Sequence, residues 1–339
     1  MIILLVIVGI SVLILAHELG HFLAAKYFGL WVEEFGFGFP PRLFAKKIGE
    51  TVYSFNLLPF GGFVKIYGEN KEATKDGQES RSFAFQPAWK KAIVILAGIF
   101  MNFLLGWLIV SVIFMIGAPK AMVITAVIDQ SPAALARIQA GDLLTDFKTS
   151  DEFVNFIQEN KGKEISLGVT RDGRELSIIL TPRLAPPEGE GALGVTFTET
   201  GVEKQAILTS FWEGLKTSLA IVASIFTALY QLLGSLLTQG RLLEGFVGPV
   251  GIFGVANQAA GLGMSYLLQL IGLISLNLFV LNALPFPALD GGRLFFIIIE
   301  KIKGSPLSSG FERSANAFGF LFLLLIMIVV TIRDITRLF

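Results

Sequence analysis

Both histidines of this 339-residue chain, His17 and His21, lie four residues apart in the segment LAHELGHF, with Glu18 between them. On a helix, positions i and i+4 share a face, so both rings can turn a nitrogen to one metal ion. Glu18 sits about 100° further round the helix, where its carboxylate reaches a water on that metal rather than the metal itself. Two His ligands, a third protein ligand and an open fourth position are the arrangement of a zinc hydrolase. Zinc brings the pKa of such a water down to about 7, and Glu18 then takes its proton as general base. The alternative is that these side chains merely lie at a membrane interface. That leaves unexplained why both histidines fall here.

The third ligand must come from elsewhere. There is no cysteine and no further histidine, so any metal is held by nitrogen and oxygen, and a carboxylate has to complete the set. Asp290, in NALPFPALDGG, is the best-placed candidate, because Asn, two Pro and Gly-Gly break an apolar helix there near its end. Broken backbone at membrane depth is tolerated where it lines a cavity or is buried in protein. Taken alone, Asp290 reads equally well as a turn-forming Asp-Gly; beside HELGH the ligand reading is preferred.

The elements that must position these residues are those of a membrane protein. Of the residues, 53% are hydrophobic and only 16% charged, well below the charge of a soluble domain. The net charge is zero, so no nucleic-acid footprint is expected. HELGH ends a first span over roughly residues 2–25, which lacks the basic start of a signal peptide and runs on past a possible cleavage point after Ala16. Residues 26–91 are polar and rich in Gly and aromatics, and read as strands and hairpins. Further spans are expected over 90–117, 264–284 and 318–332. Between them, 119–184 reads as a small α+β domain: a strand at AMVITAVI, a helix with Phe153, Phe156 and Ile157 on one face, and a hairpin about Asp172-Gly173. A linker, RLAPPEGEGALG, and an apolar helix over 205–237 follow.

HELGH at the end of the first span, with N-x-x-P-x-P-x-L-D-G-G from Asn282 to Gly292 at the end of a later one, resembles the site-2 protease family of intramembrane zinc metalloproteases. Within it, the similarity is to the bacterial RseP-like branch, and it covers nearly the whole chain. FGFGFP (35–40) and LPFGGFVKIYGE (58–69) look like the family's membrane-reentrant β-hairpin and edge strand, and AGIFMNFLLG (97–106) like its second helix. Ile99 stands where the family usually has Pro, and Arg293 where it often has His. SPAALARIQAGDLL resembles part of a circularly permuted PDZ domain.

The resemblance implies a polytopic α-helical membrane protein of about four spans, with a membrane-reentrant β-hairpin region and one inserted PDZ-like α+β domain. Its parts would be an N-terminal membrane core (1–118), the PDZ-like domain (119–185), a linker and interfacial helix (186–263) and a C-terminal membrane core (264–339). It implies Zn2+ held by His17, His21 and Asp290, Glu18 as catalytic base, and Asn277 and Asn282 near the scissile bond. Capping of a broken helix is the alternative for the two asparagines, and an interhelical hydrogen bond is the expected role of Asn102. The edge strand Gly62-Phe63-Val64-Lys65 would clamp an unwound substrate by β-addition, or else only pack against the bundle. Partners would be the lipid bilayer and single-span membrane proteins such as anti-sigma factors or signal-peptide remnants, cut after a first trimming. The rival classes are a membrane metal transporter and a catalytically silent PDZ scaffold. Neither accounts for an intact Glu18 inside the motif.

Parity adds a topology. If HELGH and Asp290 share one side, the chain between residues 118 and 264 crosses the membrane an even number of times, so 205–237 either lies at the interface or pairs with 245–262; the latter is Gly-broken and a poor span, so the interface is preferred. The loop over 26–91 carries ten Lys or Arg, so the metal side is expected to be cytoplasmic in a bacterial inner membrane, with the PDZ-like domain outside.

Overall fold

The computed structural model describes residues 2–69, 78–147, 149–171, 174–187, 189–239 and 248–336. Five of its helices are long and apolar enough to cross a membrane. These are α1 (Ile2–Tyr27), α2 (Ala88–Ile116), the first 26 residues of α5 (Ile207–Gln239), α7 (Met264–Ala283) and α9 (Ser309–Thr336). Four of the five are the expected spans; the fifth, in α5, is the segment expected at the interface. On α9, Phe320, Leu321 and Leu325 are each about 60% exposed, and a row of large apolar side chains without protein cover fits lipid rather than water.

The chain divides into two compact units. The first comprises Met1–Val110, Leu215–Phe253 and Ile271–Phe339. In it, glycines let helices approach closely, as membrane packing requires. A β-carbon at Gly9 would come 2.8 Å from Ile271, one at Gly106 would come 2.7 Å from Leu276, and one at Gly20 would collide with the Ala97 backbone. Ala25, Leu30, Ile66, Phe83, Val94, Ile95 and Ile99 form a buried core, with Phe279, Ala283, Leu294 and Ile297 packed on it. That core joins the ends of α1 and α7, the start of α2, and α8 (Asp290–Lys303).

β1 (Val32–Ile48) and β2 (Thr51–Ile66) pair antiparallel, and each bends enough to pair twice. Residues 34–37 of β1 lie opposite both 52–55 and 62–65 of β2, while 42–48 pair only with 51–56. Four segments therefore lie side by side in the order 42–48, 51–56, 34–37, 62–66, and among the described residues 62–66 has no strand on its outer side. The bend in β1 falls at Pro40-Pro41, which offer no N–H to a ladder, and that in β2 at Gly61, with φ +113°.

The second unit comprises Ser111–Gly214 and Gly254–Leu270. Its sheet has the order β6 (Arg174–Leu180), β5 (Ile165–Arg171), β4 (Leu143–Leu144), β3 (Ala118–Val127), β7 (Val195–Val202), all neighbours antiparallel. Ser131 caps α3 (Pro132–Leu135) and Thr149 caps α4 (Ser150–Glu159) by accepting N–H bonds three residues on. Phe153 and Ile157 of α4 are buried with Met122, Ile124, Leu144, Leu167 and Val169, and Phe156 packs beside them. Asp172-Gly173 lies outside the described residues. β7 extends the sheet beyond residue 185, where the sequence reads as linker; its run VTFTETGV, just after Gly194, gains its place by pairing with β3. α6 (Pro249–Leu262) is a helix of 14 residues.

Candidate metal centre

His17 and His21 lie in the C-terminal half of α1, and Asp290 is the first residue of α8. Asp290 Oδ2 is 3.0 Å from Nε2 of each histidine, and the two Nε2 atoms are 3.2 Å apart. Donor atoms at tetrahedral angles about a zinc ion, with zinc–nitrogen and zinc–oxygen bonds near 2.0–2.1 Å, stand about 3.3 Å from one another. Two imidazole nitrogens and a carboxylate oxygen at this spacing fit zinc in chemistry and in size. Among the described residues they are the one group of His, Asp or Glu so placed.

Each part of this arrangement has a local cause. Leu289 is extended and Asp290 opens a helix, where a carboxylate is favoured by the unpaired N–H groups and the dipole. Gly291 and Gly292 follow because a β-carbon at either would strike backbone carbonyls of residues 283–286. The fold brings α1 against α2 at Gly20, and the His21 ring then lies directly over Gly98. His21 Nδ1–H donates to the carbonyl of Val94 at 2.9 Å, which leaves Nε2 with a free lone pair. The Asn102 amide lies 3.3 Å from His17 Nδ1.

A cavity of about 110 Å³, room for several waters, is lined by His17, Glu18, His21, Val64, Asp290 and Arg293, among others. Glu18 faces this space beside the histidines, within reach of a water in it. Of the edge-strand residues, Val64 lines the cavity, and Gly62 lies under Glu18, whose Cγ would be 3.3 Å from a β-carbon there. Phe63 and Lys65 alternate to the other face, Phe63 over Gly36 and Lys65 in an ion pair with Glu33 at 2.8 Å.

Asn277 and Asn282 are not brought to the cavity. Asn277 Nδ2 donates to Leu273 O at 2.9 Å within α7, and neither side chain is part of the lining. The sequence pattern does not single out Val94, Gly98 or the Arg293–Glu69 pair, joined at 2.6 Å on the cavity wall. Arg293 had a signal, as a departure from the family pattern. The Val94 carbonyl has none, since every residue carries one.

A helical membrane core that closes two histidines, a carboxylate and a free glutamate about one small cavity defines an integral-membrane metallohydrolase. The model for Peptidase family M50 matches residues 5–326. A protein of Clostridium perfringens is 35% identical over 334 residues, covering 97% of each chain. Zinc metalloprotease RasP of Bacillus licheniformis is 31% identical, covering 96% of this chain and 97% of that protein. Regulator of sigma-W protease RasP of Bacillus subtilis is 29% identical over 98% of each. The chain belongs to Peptidase family M50, the site-2 protease family. It is a zinc metalloprotease and an integral membrane protein.

Proposed function

We propose that the protein hydrolyses a peptide bond within the transmembrane segment of another membrane protein, after a first cut has trimmed that substrate. His17, His21 and Asp290 hold zinc, which when bound polarises the scissile carbonyl and acidifies the attacking water. Glu18 accepts the proton of that water and returns it to the leaving amine. The observation that carries this reading is the depth of the donor set. Tyr27 and Trp89, 84% and 56% exposed, with Lys90 against the Trp89 ring, form an aromatic and basic collar suited to the membrane interface. His21 and His17 stand six and ten residues inside Tyr27 on one helix, about 9 and 15 Å at 1.5 Å per residue. A peptide bond reaching them lies inside the bilayer.

A helical substrate hides its carbonyls in internal hydrogen bonds and must unwind to be cut. The outer edge of Gly62-Phe63-Val64-Lys65, with Val64 on the cavity, offers backbone groups to an unwound strand. Asn277 and Asn282, both on the last two turns of α7, meet the substrate only if it approaches from that side. The membrane cores are 1–118 and 264–339, and the inserted domain is PDZ-like, from 119 to 185 with β7 added. It either binds the end of the trimmed substrate or excludes an untrimmed one. The metal side is cytoplasmic in a bacterial inner membrane, and the substrates are single-span proteins such as anti-sigma factors or signal-peptide remnants.

Co-expression with a panel of trimmed single-span substrates tests this, comparing wild type with Glu18→Gln and measuring zinc in both purified proteins. The expected result is cleavage within the span by the wild type, a loss of at least roughly 10³-fold in the variant, and near-equal zinc in both. Equal processing by both proteins would overturn the assignment of Glu18, and absence of zinc from both would overturn the site.

A further inference from the structure

The two zinc-facing histidines differ in what holds their outer nitrogen. His21 donates Nδ1–H to the carbonyl of Val94, an obligate acceptor. Among the described residues His17 has only the Asn102 side chain there, with Nδ2 at 3.3 Å from its Nδ1. Asn102 is 1% exposed, and among the described residues its Oδ1 has no hydrogen-bond partner. An amide N–H aimed at Nδ1 would force the ring proton onto Nε2, the atom that stands 3.0 Å from Asp290 and faces the metal position. A half-turn of the amide exchanges its oxygen and nitrogen, which differ little in shape. The orphaned Oδ1 then accepts Nδ1–H, and Nε2 is left free to ligate.

We propose that Asn102 is a positioning residue for the zinc site: its Oδ1 accepts the Nδ1–H of His17 and so fixes the tautomer and ring orientation in which Nε2 binds metal. This rests on the reading that His17 is a zinc ligand. The same asparagine is tied to α7, because its backbone carbonyl accepts a bond from Ser275 Oγ at 2.7 Å. α2 thereby holds both imidazoles: Val94 and Asn102 are eight residues, just over two turns, apart and serve His21 and His17 in turn.

The test is a zinc-competition titration of the full chain in detergent, carrying a tag without histidine, for wild type, Asn102→Leu, Asn102→Asp and Ser275→Ala. Loss of the outer partner should weaken zinc binding roughly 10- to 100-fold in Asn102→Leu. Asn102→Asp, which keeps an acceptor in the same place, should stay within about threefold of wild type, as should Ser275→Ala, which removes only the tie to α7. With only two histidines in the chain, ¹⁵N-histidine labelling of the zinc-free protein gives four ring-nitrogen signals. Those of His17 alone should leave the Nδ1–H pattern in Asn102→Leu. Wild-type affinity in Asn102→Leu, an equal loss in Asn102→Asp or Ser275→Ala, or an unchanged His17 pattern would each overturn the proposal. A wild type that binds no zinc would overturn the reading of the site itself.

Discussion

At Gly98 the backbone of α2 lies flat against the His21 imidazole, so that a β-carbon there would fall on Nε2, Cε1 and Cδ2 of the ring. Neither side can yield easily: the ring is fixed by Val94, and the helix is held by Gly20 against Ala97. Gly98→Ala, a single methyl, should therefore cost more than tenfold in zinc affinity while leaving helix content by circular dichroism unchanged. Wild-type zinc retention in this variant would show that the ring has more room than the packing implies. The contrast with Glu18 and Asp290 is instructive about what letters reveal. His, Glu and Asp are rare and costly at membrane depth, so their spacing was legible without any structure. A glycine that makes room and a carbonyl that accepts a bond are chemically ordinary, and only the fold gives them a role. Asn277 and Asn282 are the reverse case, polar letters near the motif whose side chains the fold leaves off the cavity wall.

Among the elements, the β1–β2 ribbon shows how a metal-side loop becomes a wall of the site. Its alternation and its Gly and Pro breaks were visible in the sequence. The double pairing that leaves 62–66 on an edge was not, because register here is set by two bends rather than by the hydrophobic pattern. The edge predicts an effect. Gly62→Val places branched methyls in the space over which Glu18 Cγ lies at 3.3 Å from the first added carbon. Cleavage should fall by roughly tenfold or more with zinc retained, a loss in kcat beside intact metal content. At the far end of the ribbon, Glu50 in the turn bonds Lys26 at 2.6 Å and Arg81 at 2.5 Å. Arg81 first and Lys26 second hold its carboxyl below the usual range. A depressed folded pKa means the tie is fully present above the unfolded value near 4.3 and is lost as pH falls through the folded one. The group is more than a third exposed, so the contribution is under about 1 kcal/mol. Amide exchange over residues 48–52, corrected for its intrinsic pH dependence, should quicken as pH is lowered from about 6 to about 3 in wild type. In Glu50→Gln it should already be faster at the upper pH and nearly flat below.

For the molecule as a whole, the position of Asp290 constrains how often the chain crosses the membrane. Its carboxylate is 3.0 Å from both histidines, so the end of α7 and the end of α1 share a side. α2 starts on that side and ends on the other, and α7 must return from there. Residues 117–263 therefore cross an even number of times. α5 meets the length and hydropathy of a span, but its crossing would need α6 to cross back. Fourteen residues of helix reach about 21 Å, short of a hydrocarbon core near 30 Å. α5 also carries Glu213 and Lys216, which suit an interface better than the bilayer centre. Five helices have the length and hydropathy of a span, and four crossings with α5 along the surface is the expectation that the following labelling tests. The chain contains no cysteine, so each side can be read with one engineered thiol at an exposed position. Glu79→Cys should react with an impermeant maleimide only after cells are opened, whereas Asp151→Cys in the inserted domain and Thr238→Cys near the end of α5 should both react in intact cells. Thr238→Cys reacting only in opened cells would make α5 a true span. α6 with its preceding residues would then have to return the chain, and the surface placement of α5 would be wrong.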